Sequence, residues 1–213
     1  CYPSPVPLDR TVEPYGLVFV ERTARICGSR REHYGMQIMM RRSPALTPSV
    51  TIVVPALDEE ENLEASIEIL SRTVSERFCD YELLIFDDGS TDRTGEIADQ
   101  LAIKDSHIRV VHNHGNRGVG YSFQEGVRRA TKDFVGWLPA DINKLFSPSE
   151  IERTLDAVGK ADFVMMYLST DNRPFLRRLT SQGFVKTMNL LFGLKMKYYN
   201  GGTFYRRPLI QNV

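Results

Sequence analysis

From residue 50 onward, short runs of β-branched and aromatic residues alternate with longer stretches whose apolar positions recur every three or four residues. That texture predicts parallel strands joined by crossover helices. Residues 51–54, Thr-Ile-Val-Val, read as a buried strand ending at Pro55. Leu63, Ile67, Leu70 and Val74 mark a helix over 62–77, with Glu59, Glu60 and Glu61 at its front, where the helix dipole favours negative charge. A second strand over 81–86 closes on Asp87-Asp88-Gly89-Ser90. Thr91 or Asp92 can cap the next helix, whose apolar positions include Ile97 and Leu101. A third strand over 108–112 and a glycine-rich turn over 115–120 lead into a helix ending near Thr131. A fourth strand over 134–138, a helix over 148–159, a fifth strand over 162–167 and a helix over 174–192, stopped by Gly193, complete the pattern. No internal repeat is present.

Residues 1–49 lack this periodicity. Pro3, Pro5, Pro7 and Pro14 punctuate the start, and Arg22, Arg25, Arg30, Arg31, Arg41 and Arg42 follow without a helical or strand period. We expect a poorly ordered leader without assigned function over 1–49 and one α/β domain over 50–213. From the lack of an initiator Met and the end at Val213, shortly after Pro208, we expect both ends to be cuts in a longer reading frame.

Charge narrows the function. Lys and Arg number 27 and Asp and Glu 27, so the chain is neutral and lacks the broad basic field that sequence-independent nucleic-acid binding needs. Cys1, Cys27 and Cys79 lie far apart without CxxC spacing, which argues against a disulfide framework or a zinc site and favours the reducing cytosol. No stretch reaches the roughly 18 apolar residues of a spanning helix.

An open parallel sheet binds ligands beyond the carboxyl ends of its strands. Those ends present residues 55–59, 87–92, 112–118 and 139–143, a concentration of carboxylates on one edge. Asp87 and Asp88 project from a strand terminus, and Gly89 permits a tight turn. Carboxylates so placed can accept hydrogen bonds from a base or from ribose hydroxyls, or can cap the turn itself. His112 and His114 lack a third metal ligand nearby in sequence and read as structural. Residues 115–120 form neither a Gly-x-Gly-x-x-Gly turn nor a P-loop. Phe184, Met188 and Phe192 read as core or interface positions, or as a shallow membrane-facing stripe.

Four motifs follow one another at crossover spacing: Pro55-Ala56-Leu57-Asp58-Glu59-Glu60, Asp87-Asp88-Gly89-Ser90-Thr91-Asp92, Asn116-Arg117-Gly118-Val119-Gly120 and Ala140-Asp141. With a late Gly-Gly-x-x-x-Arg-Arg run from Gly201 to Arg207, they make residues 50–210 resemble family 2 of the inverting nucleotide-sugar glycosyltransferases, in the dolichyl- or polyprenyl-phosphate sugar transferase branch. The resemblance implies a GT-A fold, a Rossmann-like, mostly parallel sheet flanked by helices. It implies that Pro55, Ala56, Glu59, Asp87 and Asp88 hold the donor nucleoside. The family's metal motif Asp-x-Asp reads Pro139-Ala140-Asp141 here, so its first carboxylate is missing. Asp141, with Asn143, is the implied ligand set for Mg²⁺ or Mn²⁺, ions that take amide oxygen, diphosphate and water alongside a carboxylate.

Arg173, Arg177 and Arg178 precede or begin the last predicted helix and suit phosphate oxygens of the donor or of a lipid acceptor. By the resemblance Arg177 serves the donor, and Arg178, with Asp141, serves the transfer step. The family's Ser-Arg after the fifth strand is replaced by Leu168-Ser169. A Gln-x-x-Arg-Trp signature of processive synthases is absent from this sequence, which favours a lipid-phosphate acceptor. The implied setting is cytoplasmic, at the cytoplasmic face of a membrane, in cell-envelope biogenesis. The alternatives are transfer to a glycan hydroxyl and a degenerate nucleotide-binding domain without turnover.

Overall fold

Regular structure begins earlier than the periodicity does. The computed structural model describes residues 10–12, 18–22, 34–40, 48–168, 175–193 and 202–211. Strands β1 (Arg10–Val12), β2 (Val18–Arg22) and β3 (Tyr34–Met40) pair antiparallel in succession, in a stretch where the sequence pattern showed no strand period. In β3, Tyr-Gly-Met-Gln-Ile-Met-Met contains a single β-branched residue. Pairing with a neighbouring strand, rather than intrinsic propensity, defines it.

The parallel heart of the sheet follows. β4 (Val50–Ala56) pairs in parallel with β5 (Tyr81–Asp87), and β5 with β6 (Ile108–His112). Crossovers run through α1 (Leu63–Ser75), α2 (Thr94–Lys104) and α3 (Val119–Arg129), which leads to β7 (Phe134–Trp137), parallel to β4 on its other side. A short α4 (Ile142–Leu145) and α5 (Pro148–Ala157) then lead to β8 (Phe163–Leu168). Pro148 opens α5 where its missing N–H costs nothing, and Glu150 accepts hydrogen bonds from the Ser147 N–H (2.8 Å) and hydroxyl (2.7 Å). Helix α6 (Phe175–Phe192) and strand β9 (Thr203–Arg206) follow, with a 3-10 turn at Arg207–Leu209 after β9.

The expected elements are present, with boundaries shifted by a few residues. The strand missed after residue 193 is β9, made within the Gly-Gly-x-x-x-Arg-Arg run. It inserts antiparallel between β7 and β8, so the order is β1-β2-β3-β8-β9-β7-β4-β5-β6. Only Thr203 and Phe204 of its four residues are buried, too short a run to stand out as a strand.

Both faces of the parallel strands are covered, which explains their continuous apolar character. Val50, Ile52 and Val54 of β4 and Leu83 and Ile85 of β5 pack with Leu63, Ile67 and Leu70 of α1 and with Ile151 and Leu155 of α5. Val53, Leu84, Phe86 and Val135 pack on the other face with Val127 of α3. At the amino ends of the strands, buried Glu82 accepts hydrogen bonds from the hydroxyl of Thr51 and from the N–H and hydroxyl of Thr131. Burial alone would raise its pKa, but these bonds and Arg109 outweigh it and hold the carboxyl below its usual value. That network anchors the end of the sheet opposite the candidate site.

Candidate active site

The loops after β4 and β5 are laced together by carboxylate-to-backbone hydrogen bonds. Asp58 accepts from the Thr91 N–H (2.8 Å) and its own N–H donates to the Ser90 hydroxyl (3.1 Å). Glu60 accepts from the Arg93 N–H (3.0 Å), and Asp92 returns the bond to the Glu60 N–H (3.1 Å). The Glu59 N–H donates to the buried Thr94 hydroxyl (2.7 Å), while its carboxylate accepts from Asn62 (2.6 Å). Asp58 pays for this geometry with a φ of 52°, a left-handed conformation that Asp tolerates better than most residues. Thr91 is held by Asp58 and does not cap α2, which starts at Thr94 with its N–H donated to Asp92 (2.9 Å).

Asp88 ties this pair of loops to the third. Its side chain is buried, and it accepts from the Asn113 amide (2.7 Å), the Arg117 N–H (2.9 Å) and the Gly118 N–H (2.7 Å). Its backbone N–H donates to the Ala56 carbonyl (2.8 Å). Gly118 reaches this position with φ 85°, and a Cβ on Gly89 (φ 79°) would stand 2.5 Å from the Gly115 Cα. The glycines of the second and third motifs therefore permit two backbones to meet.

Asp87 makes a different connection. One oxygen accepts from the Ser90 N–H (3.0 Å), and the other lies 2.8 Å from His112 Nδ1, whose Nε2 lies 3.1 Å from Asp99 on α2. A carboxylate only accepts, so a doubly protonated imidazole satisfies both contacts. Burial would raise the Asp87 pKa, but the hydrogen bonds from Ser90 and His112 prevail and lower it. The same bond to Asp87, aided by Asp99 and opposed by partial burial, raises that of His112. The structural role expected for His112 is thus a clamp joining β5, β6 and α2. Sequence spacing did not reveal Asp99 as its partner, since thirteen positions separate them and only the crossover brings them together.

The β7 side of the edge looks different. Half-buried Asp141 precedes α4, and its carboxylate makes no hydrogen bond among the described residues. Asn143 is exposed and its amide oxygen accepts from the buried Ser66 hydroxyl of α1 (3.1 Å). Pro55 is half-buried and Ala56 buried at the end of β4. Among the described residues there is no cluster of three or more His, Cys, Asp or Glu side chains able to hold a metal. One carboxylate and one amide oxygen still fit a hard ion that draws its other ligands from a diphosphate and water.

Arg178 is exposed in the first turns of α6 and forms no ion pair among the described residues. Arg177 lies on the same helix, and Arg173 lies outside the described residues. Phe184 and Phe192 are exposed and Met188 half-buried, so the first two are not core positions. No described helix is long and apolar enough to cross a membrane.

A model of the family described as Glycosyl transferase family 2 matches residues 51–213. The chain is 27% identical to the uncharacterized glycosyltransferase EpsJ of Bacillus subtilis over 79% of its own length and 51% of that protein. It is 28% identical to the polyprenol monophosphomannose synthase of Mycolicibacterium smegmatis, over 78% of its own length and 65% of the relative's. The chain thus spans less than two thirds of these relatives. In three dimensions it resembles the UDP complex of glucosyl-3-phosphoglycerate synthase from Mycobacterium tuberculosis, with a TM-score of 0.54 and 21% identity over 80% of this chain and 64% of that one. That likeness bears out the expected GT-A fold.

Proposed function

The chain belongs to glycosyl transferase family 2, and from that premise we propose that it moves a sugar, with inversion, from a nucleoside-diphosphate sugar to a polyprenyl phosphate. The observation that carries this reading is Asp141, a carboxylate left without a described protein partner beside loops whose other carboxylates are hydrogen-bonded. The named activity of the mycobacterial polyprenol monophosphomannose synthase supports the lipid-phosphate acceptor.

In this reading Pro55, Ala56, Glu59, Asp87 and Asp88 shape the nucleoside pocket, with Asp88 acting largely by holding the third loop in place. Arg177 and Arg178 offer guanidinium donors to phosphate oxygens. An oxygen of the acceptor phosphate attacks the anomeric carbon from the face opposite the diphosphate. The bond from that carbon to the diphosphate oxygen breaks, and the nucleoside diphosphate leaves with the electron pair. The acceptor is ionised at neutral pH, so the protein supplies position and charge rather than a general base. Asp141 and Asn143 would hold a Mg²⁺ or Mn²⁺, which when bound would neutralise charge on the leaving diphosphate.

The test is an assay of the protein with UDP- and GDP-sugars, polyprenyl phosphate and Mg²⁺ or Mn²⁺, following sugar into lipid. Transfer to the lipid phosphate is expected. Nucleotide binding without transfer from any donor would establish a degenerate domain, and transfer only to glycan hydroxyls would overturn the acceptor assignment.

A further inference from the structure

Asp87 is fixed at both of its oxygens. Oδ1 accepts from the Ser90 N–H (3.0 Å), and the Ser90 hydroxyl in turn accepts from the Asp58 N–H of the first motif (3.1 Å). Oδ2 meets His112 Nδ1 at 2.8 Å, and the Asp87 side chain is only 10% exposed. A carboxylate that merely caps its own turn needs the Ser90 bond alone, whereas the second bond comes from another strand. An ionised carboxylate has about four lone-pair sites, so the two bonds orient it and leave sites to receive a ligand N–H or O–H. The space around the second bond is equally specific. Gly95 in the first turn of α2 lies against it, and a Cβ there would stand 2.7 Å from Asp87 Oδ2 and 3.4 Å from His112 Cε1. A helical backbone does not call for glycine, which is a poor helix former. The Asp87–His112 pair beside it does.

The charged groups that face the imidazole are Asp87 from β5 and Asp99 from α2. The others on these elements are engaged elsewhere: Asp88 by Asn113 and the third loop, Glu96 by Arg93 (3.1 Å), and Arg109 of β6 by Glu82 (3.2 Å) at the far end of the strand. With both ring nitrogens donating, Asp87, His112 and Asp99 together carry a single negative charge. Loss of the ring proton leaves one N–H for two carboxylates and adds a second negative charge beside a site that is to receive a diphosphate.

We propose that His112, lodged against Gly95, is a positioning residue for donor binding: its Nδ1–H holds the Asp87 carboxylate in the orientation that receives the nucleoside. It acts through Asp87 and touches no reacting atom. The inference deepens the proposed function and rests on its assignment of Asp87 to the nucleoside pocket.

The experiment is calorimetric titration of the whole protein with UDP and with GDP in the presence of Mg²⁺, between about pH 5.5 and pH 8.5, with circular dichroism to confirm that each variant is folded. An asparagine amide nitrogen stands as many bonds from Cα as Nδ1, and a glutamine amide nitrogen as many as Nε2. His112→Asn therefore keeps a donor for Asp87, whereas His112→Gln keeps one for Asp99 only. His112→Gln should weaken nucleotide binding about tenfold, and His112→Asn should stay within about threefold of the unaltered protein. Gly95→Ala should weaken it about fivefold with helix content unchanged, because the added methyl displaces the end of the Asp87 side chain and not the backbone. Affinity of the unaltered protein should fall about threefold as pH rises through the folded His112 pKa, which the bond to Asp87 and then Asp99 raise against partial burial. His112→Asn should remove that fall. A clamp that serves the fold alone lowers thermal stability in both His112 variants and leaves nucleotide affinity unchanged; that result, or equal losses of affinity in the two variants, would overturn the proposal. Asp87→Ala separates the proposal from the assignment beneath it. Lost nucleotide binding in Asp87→Ala with full binding in His112→Gln would leave the nucleoside assignment standing and remove the positioning. Unchanged binding in Asp87→Ala would remove the nucleoside assignment itself, and the positioning with it.

Discussion

The two halves of the sheet's carboxyl edge spend their charges differently. Around β4, β5 and β6, the carboxylates of Asp58, Glu60, Asp87, Asp88 and Asp92 accept hydrogen bonds from their own or neighbouring loops. Beside β7, Asp141 has no such partner among the described residues; elsewhere, on α6, Arg178 has none either. The first half is a scaffold in which charge maintains loop shape before any ligand arrives. In the function proposed above, the second half leaves its charge for what binds. Equally acidic or basic residues on one edge therefore do different work, and substitution should separate loss of shape from loss of chemistry.

The sharpest division is expected at Asp141. Asp141→Ala should reduce turnover by about a hundredfold or more and abolish the response to Mg²⁺ or Mn²⁺, while shifting stability by less than about 0.5 kcal/mol. Steady-state kinetics against metal concentration and urea unfolding of the same protein measure both quantities. A large stability loss would place Asp141 with the scaffold and dissolve the contrast.

Asp88→Ala should show the opposite signature. It strands the Asn113 amide and the N–H groups of Arg117 and Gly118, and should cost about 2–4 kcal/mol of stability together with most of the nucleotide affinity. Urea unfolding and calorimetric nucleotide binding report the two effects. Unchanged stability with lost binding would make Asp88 a direct nucleoside ligand rather than a loop holder.

The smallest effect is the pH dependence of the His112 clamp. The His112 pKa is raised on folding, so its contribution is complete below the unfolded value of about 6.5 and is lost as pH rises through the folded value. The Asp87 pKa is lowered, so its contribution is complete above about 3.9 and is lost as pH falls through its folded value. The clamp should therefore contribute most between about pH 4 and pH 6.5. Because the imidazole is 45% exposed, screening keeps the His112 part below about 1 kcal/mol. His112→Gln should flatten the stability profile above pH 6.5, measured by thermal unfolding across buffers; an unchanged slope would show that His112 does not couple to folding.

Much of this division was legible in residue order and some of it was not. Gly89, Gly118 and the Asp-Asp pair were visible because tight turns demand particular residue types at particular steps. The partners of those residues were not visible. Asp88 meets Arg117 and Gly118 across 29 and 30 positions, and Asp58 meets Thr91 across 33. Nothing in the local pattern assigns the first Asp to His112 and the second to the glycine loop.

The sequence by itself determined the crossover units from residue 50 onward and the edge on which chemistry must sit, since hydrophobic period and turn residues act locally. Only the tertiary structure decided which carboxylates are consumed as scaffold, where β9 slots between β7 and β8, and that three strands before residue 50 extend the sheet. Those outcomes depend on which backbone edges and side chains meet across long stretches of chain, and such meetings are set by the packing of the whole domain.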